Sequence, residues 1–298
     1  MMALLPQQIA PVDARQHALT QSYLAGHTEA LMAYFLGLRA QVDTVLSPKL
    51  PAAAGKDYPY GRCEEITREL HALLALRLRQ PVAPIEHALH NFMNQGGIVR
   101  TVWGVLREQY FQNALQIGGL YIDVSNDTVE VSKPQVEILP IEASGLLAVR
   151  DLVHFRQTAE RYWGASIYAN HLLPTLAPLL PMVSASPGRL QPGLQSACDY
   201  MIALMCRDGF TQAEAWLREG PTPPTDVART VLARTPDDLQ PWTDRHRDEA
   251  IIACQRARAA RCHANAQWRQ ARVLDYLRSL RGRMTVEALS MNDGCATQ

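Results

Sequence analysis

The stretch DYPYGRCEEITREL sets a cysteine, Cys63, just after a turn rich in proline and glycine and at the start of an amphipathic helical pattern. A cysteine at a helix N-terminus meets the field of unpaired amide N–H groups, which favours the reactive thiolate over the thiol. Pro59, Tyr60 and Gly61 bring further backbone amides toward the sulfur, where they would hold an oxyanion. A plainer role is also open. Cys63 lies above Ile66, Leu70 and Leu74 and fits their apolar stripe as a small buried residue. Acyl transfer through a cysteine needs a base beside the sulfur and an orienting group behind that base.

A second segment, YFQNALQIGGLYIDVS, offers polar and acidic partners. Gly118 and Gly119 between two alternating runs signal a two-residue hairpin. A tight hairpin sets Ile117 opposite Leu120 and Ala114 opposite Asp123. Asp123, Tyr121 and Ser125 then share a face with Tyr110, Gln112, Ala114 and Gln116. Phe111, Leu115, Ile117, Leu120, Ile122 and Val124 form the opposite, core-facing side. The polar face of such a sheet is expected at the surface. Asp123, Tyr110 and Gln112 are therefore candidate site residues, with ordinary sheet positions as the alternative.

YGRCEEITREL followed by YFQNALQIGGLYIDVSND resembles the transglutaminase-like branch of the papain-like cysteine superfamily, over roughly residues 55 to 130. The family's order is a helix-initial cysteine, a histidine opening one strand, a glycine turn, and an aspartate on the next strand. The resemblance implies a papain-like core of N-terminal helices packed on a small antiparallel sheet. It implies Cys63 as nucleophile and Asp123 as the acidic member. It also implies acyl transfer or amide-bond chemistry through a thioester, including on carrier-bound substrates of peptide or small-molecule biosynthesis.

The histidine departs from that order. Counting back from the glycine turn puts Tyr110 at its position, counting back from Asp123 gives Glu108, and no histidine lies between His90 and His154. Three arrangements stay open. His90 or His154 completes the site, or Tyr110 and Gln112 support other chemistry, or the fold is inactive and serves as a protein-interaction module.

The elements that must position these residues follow from periodicity. TQSYLAGHTEALMAYFLGLRAQVDTVL sets Leu24, Leu31, Phe35, Leu38, Val42 and Val45 on one helical face, with Thr20 as N-cap. SPKLPAAAGKDYPYG is a loop, and the helix from Cys63 ends at Pro81. GGIVRTVWGVL and the hairpin are strands, and TVEVSKPQVEILP adds one or two more. After about Pro140 the pattern turns helical: roughly residues 144 to 171 with Tyr162 and Trp163 in the core, a loop at SASPGRLQPG, the apolar helix LQSACDYMIALMC, a helix ending at Gly220, and one short helix before Trp242. The expected architecture is an α+β domain over residues 1–142 followed by an all-α domain over 143–298.

The last element predicted is one long basic helix from about Thr243 to Arg281, capped by Gly282 and extending roughly 50 Å. Its arginines, among them Arg256, Arg261 and Arg272, suit a dock for an acidic protein, because guanidinium pairs bidentately with carboxylate. The plainer reading is a solvated basic face.

The chain has 298 residues, 47% apolar and 19% charged, which is the composition of a folded globular protein. Zero formal net charge provides no general attraction to nucleic acid. The apolar run IYANHLLPTLAPLLPMV is broken by Pro174, Pro178 and Pro181, and no membrane span is expected. The start is not read as a signal peptide. The six cysteines form no CxxC pair; Cys198 with Cys206, and Cys254 with Cys262, are spaced to share helix faces. Free thiols in a reducing cytoplasm fit that pattern. Neither HExxH nor a phosphate loop occurs, so no metal and no cofactor is expected.

Overall fold

In a computed structural model, residues 4–50, 52, 56–186, 193–194 and 198–292 are described, by backbone alone over 193–194 and 281–292. Pro51, Gly55, the centre of the SASPGRLQPG loop and Cys295 lie outside the described residues. The chain forms two compact units, Met1–Val149 and Arg150–Gln298.

The first unit opens with α1 (Ala14–Tyr23), a single turn of 3-10 helix and α2 (Thr28–Leu46). Asp13 caps α1 by accepting the Gln16 N–H. Thr20 is thus inside a helix and not an N-cap. Its hydroxyl instead receives the Gly119 N–H at 2.9 Å and steadies the hairpin turn. Helix α3 (Cys63–Arg77) and helix α4 (Pro84–Asn94) follow. Pro84 starts α4 where its missing N–H costs nothing, and Glu86 accepts the Val82 and Ala83 amides.

Strands β1 (Val99–Leu106), β2 (Tyr110–Ile117), β3 (Leu120–Asp123), β4 (Glu137–Pro140) and β5 (Leu146–Leu147) make one antiparallel sheet, in the order β4-β3-β2-β1-β5. A short helix, α5 (Ile141–Ser144), precedes β5. The β2–β3 register pairs Ile117 with Leu120 and Leu115 with Ile122, so Gly118 and Gly119 form the turn. Gly118 has a φ of 56°, and a Cβ there would lie 2.3 Å from the Thr20 hydroxyl. The pairing of β5 with β1 carries the first unit to Val149.

Leu31, Phe35, Leu38 and Val42 of α2 pack with Ile66, Leu70 and Leu74 of α3 and Leu89 and Phe92 of α4. This layer covers Leu115, Ile117, Ile122 and Val124 of the sheet. Val45 is 40% exposed and stands outside that core, being at the end of the stripe. The opposite sheet face is not solvated as expected: Tyr110, Gln112, Ala114, Gln116, Tyr121 and Asp123 are all buried. A polar face survives burial when its groups are paired. Gln116 shows how, exchanging two bonds with the Ala10 backbone at 2.8 and 2.9 Å.

The second unit is mixed, not all-α. Between α6 (Leu152–Trp163) and α7 (Asp199–Arg207) lie β6 (Ser166–Ala169), β7 (Met182–Ala185) and β8 (Gly193–Leu194), paired antiparallel. These strands are too short for alternation to mark them in the sequence, and the proline-broken run between β6 and β7 reads equally as buried helix. Tyr162 and Trp163 are half-buried at the end of α6. Helices α8 (Thr211–Glu219) and α9 (Thr225–Leu232) follow.

The long basic helix is two helices, α10 (His246–Ala259) and α11 (Ala266–Asn292). Arg261 adopts a left-handed φ of 52°, and Asn265 accepts the Trp268 N–H to cap α11. Cys254 and Cys262 therefore fall on different elements, and α11 runs through Gly282 instead of ending there. Among the described residues, no helix is long and apolar enough to cross a membrane.

The arginines also divide. Arg258 pairs with Glu214, Arg278 with Asp238 and Asp275, and Arg272 with Asp275 at 2.6 Å while lying over the Trp268 ring. Arg256 and Arg261 are exposed. Arg272 thus serves the unit's own packing and does not share a free stripe with the other two. Circular-dichroism melting should separate the two kinds. Arg256→Glu with Arg261→Glu should leave Tm within about 2 °C. Arg272→Glu, which sets a carboxylate beside buried Asp275, should cost about 1–3 kcal/mol.

Candidate functional site

Cys63 is the first residue of α3. Gly61, at a φ of 70°, turns the chain into it. The amides expected to serve an oxyanion are already engaged. Tyr60 donates to the Asp57 carbonyl at 3.1 Å, Gly61 to the Thr128 carbonyl at 2.8 Å, and Arg62 to the Pro59 carbonyl at 3.1 Å. What remains for an anion are the first-turn amides of the helix, which have no intrahelical acceptor.

The sulfur meets an asparagine. Asn113 Nδ2, from β2, donates to Cys63 Sγ at 3.5 Å. One helical turn further on, Thr67 Oγ1 donates to the Asn113 carbonyl at 3.2 Å. Part of Cys63 remains open to solvent, but its sulfur lies deep enough that burial pushes the thiol up to about 11. The Asn113 bonds oppose that rise, while the charges of Asp123 and Glu65 add to it. On that value, roughly one thiol in ten thousand is ionised at pH 7.

Asp123 is fully buried at the end of β3. Its Oδ1 accepts the Ser125 N–H at 2.8 Å and lies 3.1 Å from the Ser125 hydroxyl. Its Oδ2 accepts from Gln112 Nε2 at 2.7 Å and from Tyr121 Oη at 2.9 Å. Burial raises its carboxyl above the ordinary range despite these four donors. Its oxygens are thus filled by its own strands, with no position left for an imidazole to orient. Ser125 links the two halves of the cluster. Its hydroxyl lies 3.2 Å from the Asn113 carbonyl and 3.4 Å from Thr67 Oγ1.

The structure brings Cys63 and, through this seam, Asp123 and Gln112 into one polar cluster. Tyr110 lies on the Gln112 face, with its hydroxyl 3.3 Å from Lys133 Nζ. His90 Nδ1 is bonded to the carbonyl of Leu78, the C-cap of α3, at 2.9 Å. Cys63 is at the other end of that 15-residue helix, roughly 22 Å away. His154 belongs to the second unit, where its Nδ1 accepts the Arg150 N–H at 3.3 Å. Among the described residues, no group of three or more His, Cys, Asp or Glu side chains is arranged to hold a metal.

Sequence reasoning missed Asn113, and a signal was there. Phe111, Leu115 and Ile117 define the core-facing alternation of β2, and position 113 is the polar break in it. Arg39 and Asp127 were missed as well. Arg39, fully buried in α2, grips both Asp127 carboxylate oxygens at 2.8 and 3.1 Å, the Val124 carbonyl at 2.8 Å, and Asp43 at 2.7 Å. It thereby fixes the 124–128 turn that carries Ser125 and holds the Gly61 amide.

No protein-family model, no curated protein and no solved structure matches this chain.

Two outcomes follow from this geometry. Arg39→Leu should cost about 3–5 kcal/mol in urea unfolding, because it leaves Asp127 buried and uncompensated. Iodoacetamide labelling of Cys63, followed by mass spectrometry, should be slow at pH 7. It should quicken about tenfold per pH unit toward the raised thiol value. A plateau reached by pH 8 would contradict a protonated thiol.

Proposed function

We propose that the first unit is a transglutaminase-like scaffold with a silenced cysteine, and that the protein acts as a binding module and not as an acyltransferase. The observation that carries this reading is the Asn113 Nδ2 contact to Cys63 Sγ. Acyl transfer needs a group there that takes the thiol proton, and a carboxamide does not. The resemblance itself draws support from the order of parts: a cysteine opening a helix packed on a hairpin whose second strand ends in a buried aspartate.

The binding role belongs with the exposed cations Arg256 and Arg261 of the second unit, which suit an acidic protein partner. Such binding would weaken with salt, since exposed charges are screened within about 10 Å at 0.1 M. Cytoplasmic location is part of the same reading, supported by the free thiols Cys63, Cys198, Cys206, Cys254 and Cys262.

The rival reading is slow thioester chemistry at Cys63, favoured by the partial exposure of that residue at a helix start. Incubation with an activated aryl ester at pH 7 distinguishes the two. The wild-type protein should show no acyl adduct at Cys63 by mass spectrometry. Asn113→His, which supplies a base at the sulfur, should raise adduct formation about a hundredfold. Rapid acylation of the wild type, lost in Cys63→Ala, would establish the rival.

A further inference from the structure

Away from Cys63, residues of α2, α3 and α4 line an open pocket of about 280 Å³, with Ala33, Gly37, Gln41 and Arg77 at its exposed rim. It lies at the end of α3 opposite the cysteine, and its walls carry both signs of charge. Glu86 is buried and ionised, held below the usual carboxylate range chiefly by the Val82 and Ala83 amides against the opposing effect of burial. Those capping bonds, at 2.8 and 3.0 Å, use Oε2. The other oxygen, Oε1, takes only the Tyr34 hydroxyl at 3.1 Å, so it keeps acceptor capacity.

Arg77, from the last turn of α3, lines the same cavity. Its Nη2 donates to Gln41 Oε1 at 2.9 Å, and its guanidinium has further donors to offer. Arg77 feels the field of Glu86, yet the two form no ion pair with each other. Opposite charges that share a cavity without closing on one another leave a space that a molecule bearing both charges would complete. Gly37 opens that space: a Cβ there would meet nothing within 4 Å. The volume is near the lower end of small-molecule sites, about 300 Å³, and holds a free amino acid.

We propose that this cavity binds a small amphoteric molecule, its ammonium or guanidinium on Glu86 and Tyr34 and its carboxylate on Arg77, the chemistry of a basic amino acid. The site is independent of the reading of Cys63. Its occupant would brace α2, α3 and α4 against one another through charge-assisted hydrogen bonds, the strong class of such bonds.

Isothermal titration calorimetry on the full chain tests this with three probes: L-arginine, agmatine, which lacks the carboxylate, and valerate, which lacks the cation. L-arginine should bind saturably with a Kd below about 1 mM. Agmatine and valerate should each bind at least tenfold more weakly, and Arg77→Gln should reduce L-arginine to the level of agmatine. Gly37→Leu fills the cavity while improving helix propensity, so it should fold and abolish binding. Melting curves check that both variants are folded, and Cys63 alkylation should be unchanged in each. The proposal is overturned if L-arginine gives no saturable heat, if agmatine binds as tightly, or if binding survives Gly37→Leu.

Discussion

A single buried guanidinium holds the candidate site together. Arg39 sits on the core side of α2, where its charge has no access to water; beyond its pair with Asp43 of the same helix, its contacts support the chain after β3. The 124–128 segment contains one turn of 3-10 helix, Asn126–Thr128, and the guanidinium ties that turn to α2. Once held, it presents Ser125 to Thr67 and Asn113, and the Thr128 carbonyl to the Gly61 amide. The start of α3, and with it the position of Cys63, is thus tied to a cation on the preceding helix. Such pairs contribute little net stability, because desolvation offsets the attraction. What the pair supplies is position: the Val124 carbonyl and both Asp127 oxygens are bonded to the same guanidinium.

Asp123 shows how the same parts can be catalytic or structural. In a cysteine triad a buried acid orients a base. Here the acid is surrounded by donors from its own hairpin, so its bonds close the sheet on itself. The thiol is left in a low-dielectric setting that holds its proton on, and the one amide donated to it, from Asn113, only partly offsets that burial. The helix N-terminus that would favour thiolate is present, yet burial holds the thiol above its ordinary value. A cysteine at a helix start is therefore not by itself a sign of reactivity; the groups packed against the sulfur also set its proton affinity.

The second unit makes a similar point with arginine. A stretch dense in basic residues reads as one long cationic face, yet a left-handed Arg261 and the capping Asn265 divide it. Much of its charge is then spent on internal pairs with Glu214, Asp238 and Asp275. What remains outward is a smaller feature than composition implies.

Local rules determined much of this protein from sequence alone. Two glycines between alternating runs specify the β2–β3 hairpin and its register, because only residues tolerant of positive φ fit that turn. The 3.6-residue stripes of α2 and α3, and a helix beginning at Cys63, follow equally from periodicity and from the glycine that precedes it. Tertiary structure decided the rest. Residues 113, 39 and 127 are far apart in sequence, and no local preference says that an asparagine will face the sulfur or that an arginine will be buried. The polar face of the sheet also looks solvent-facing by pattern, and is buried with its groups paired, Gln116 by distant Ala10 and Asp123 by neighbouring Ser125. Short strands such as β6, β7 and β8 exist only through pairing with one another. Sequence states what each segment prefers within a few residues; which polar groups meet, and so which chemistry is possible, is fixed only when the segments are packed.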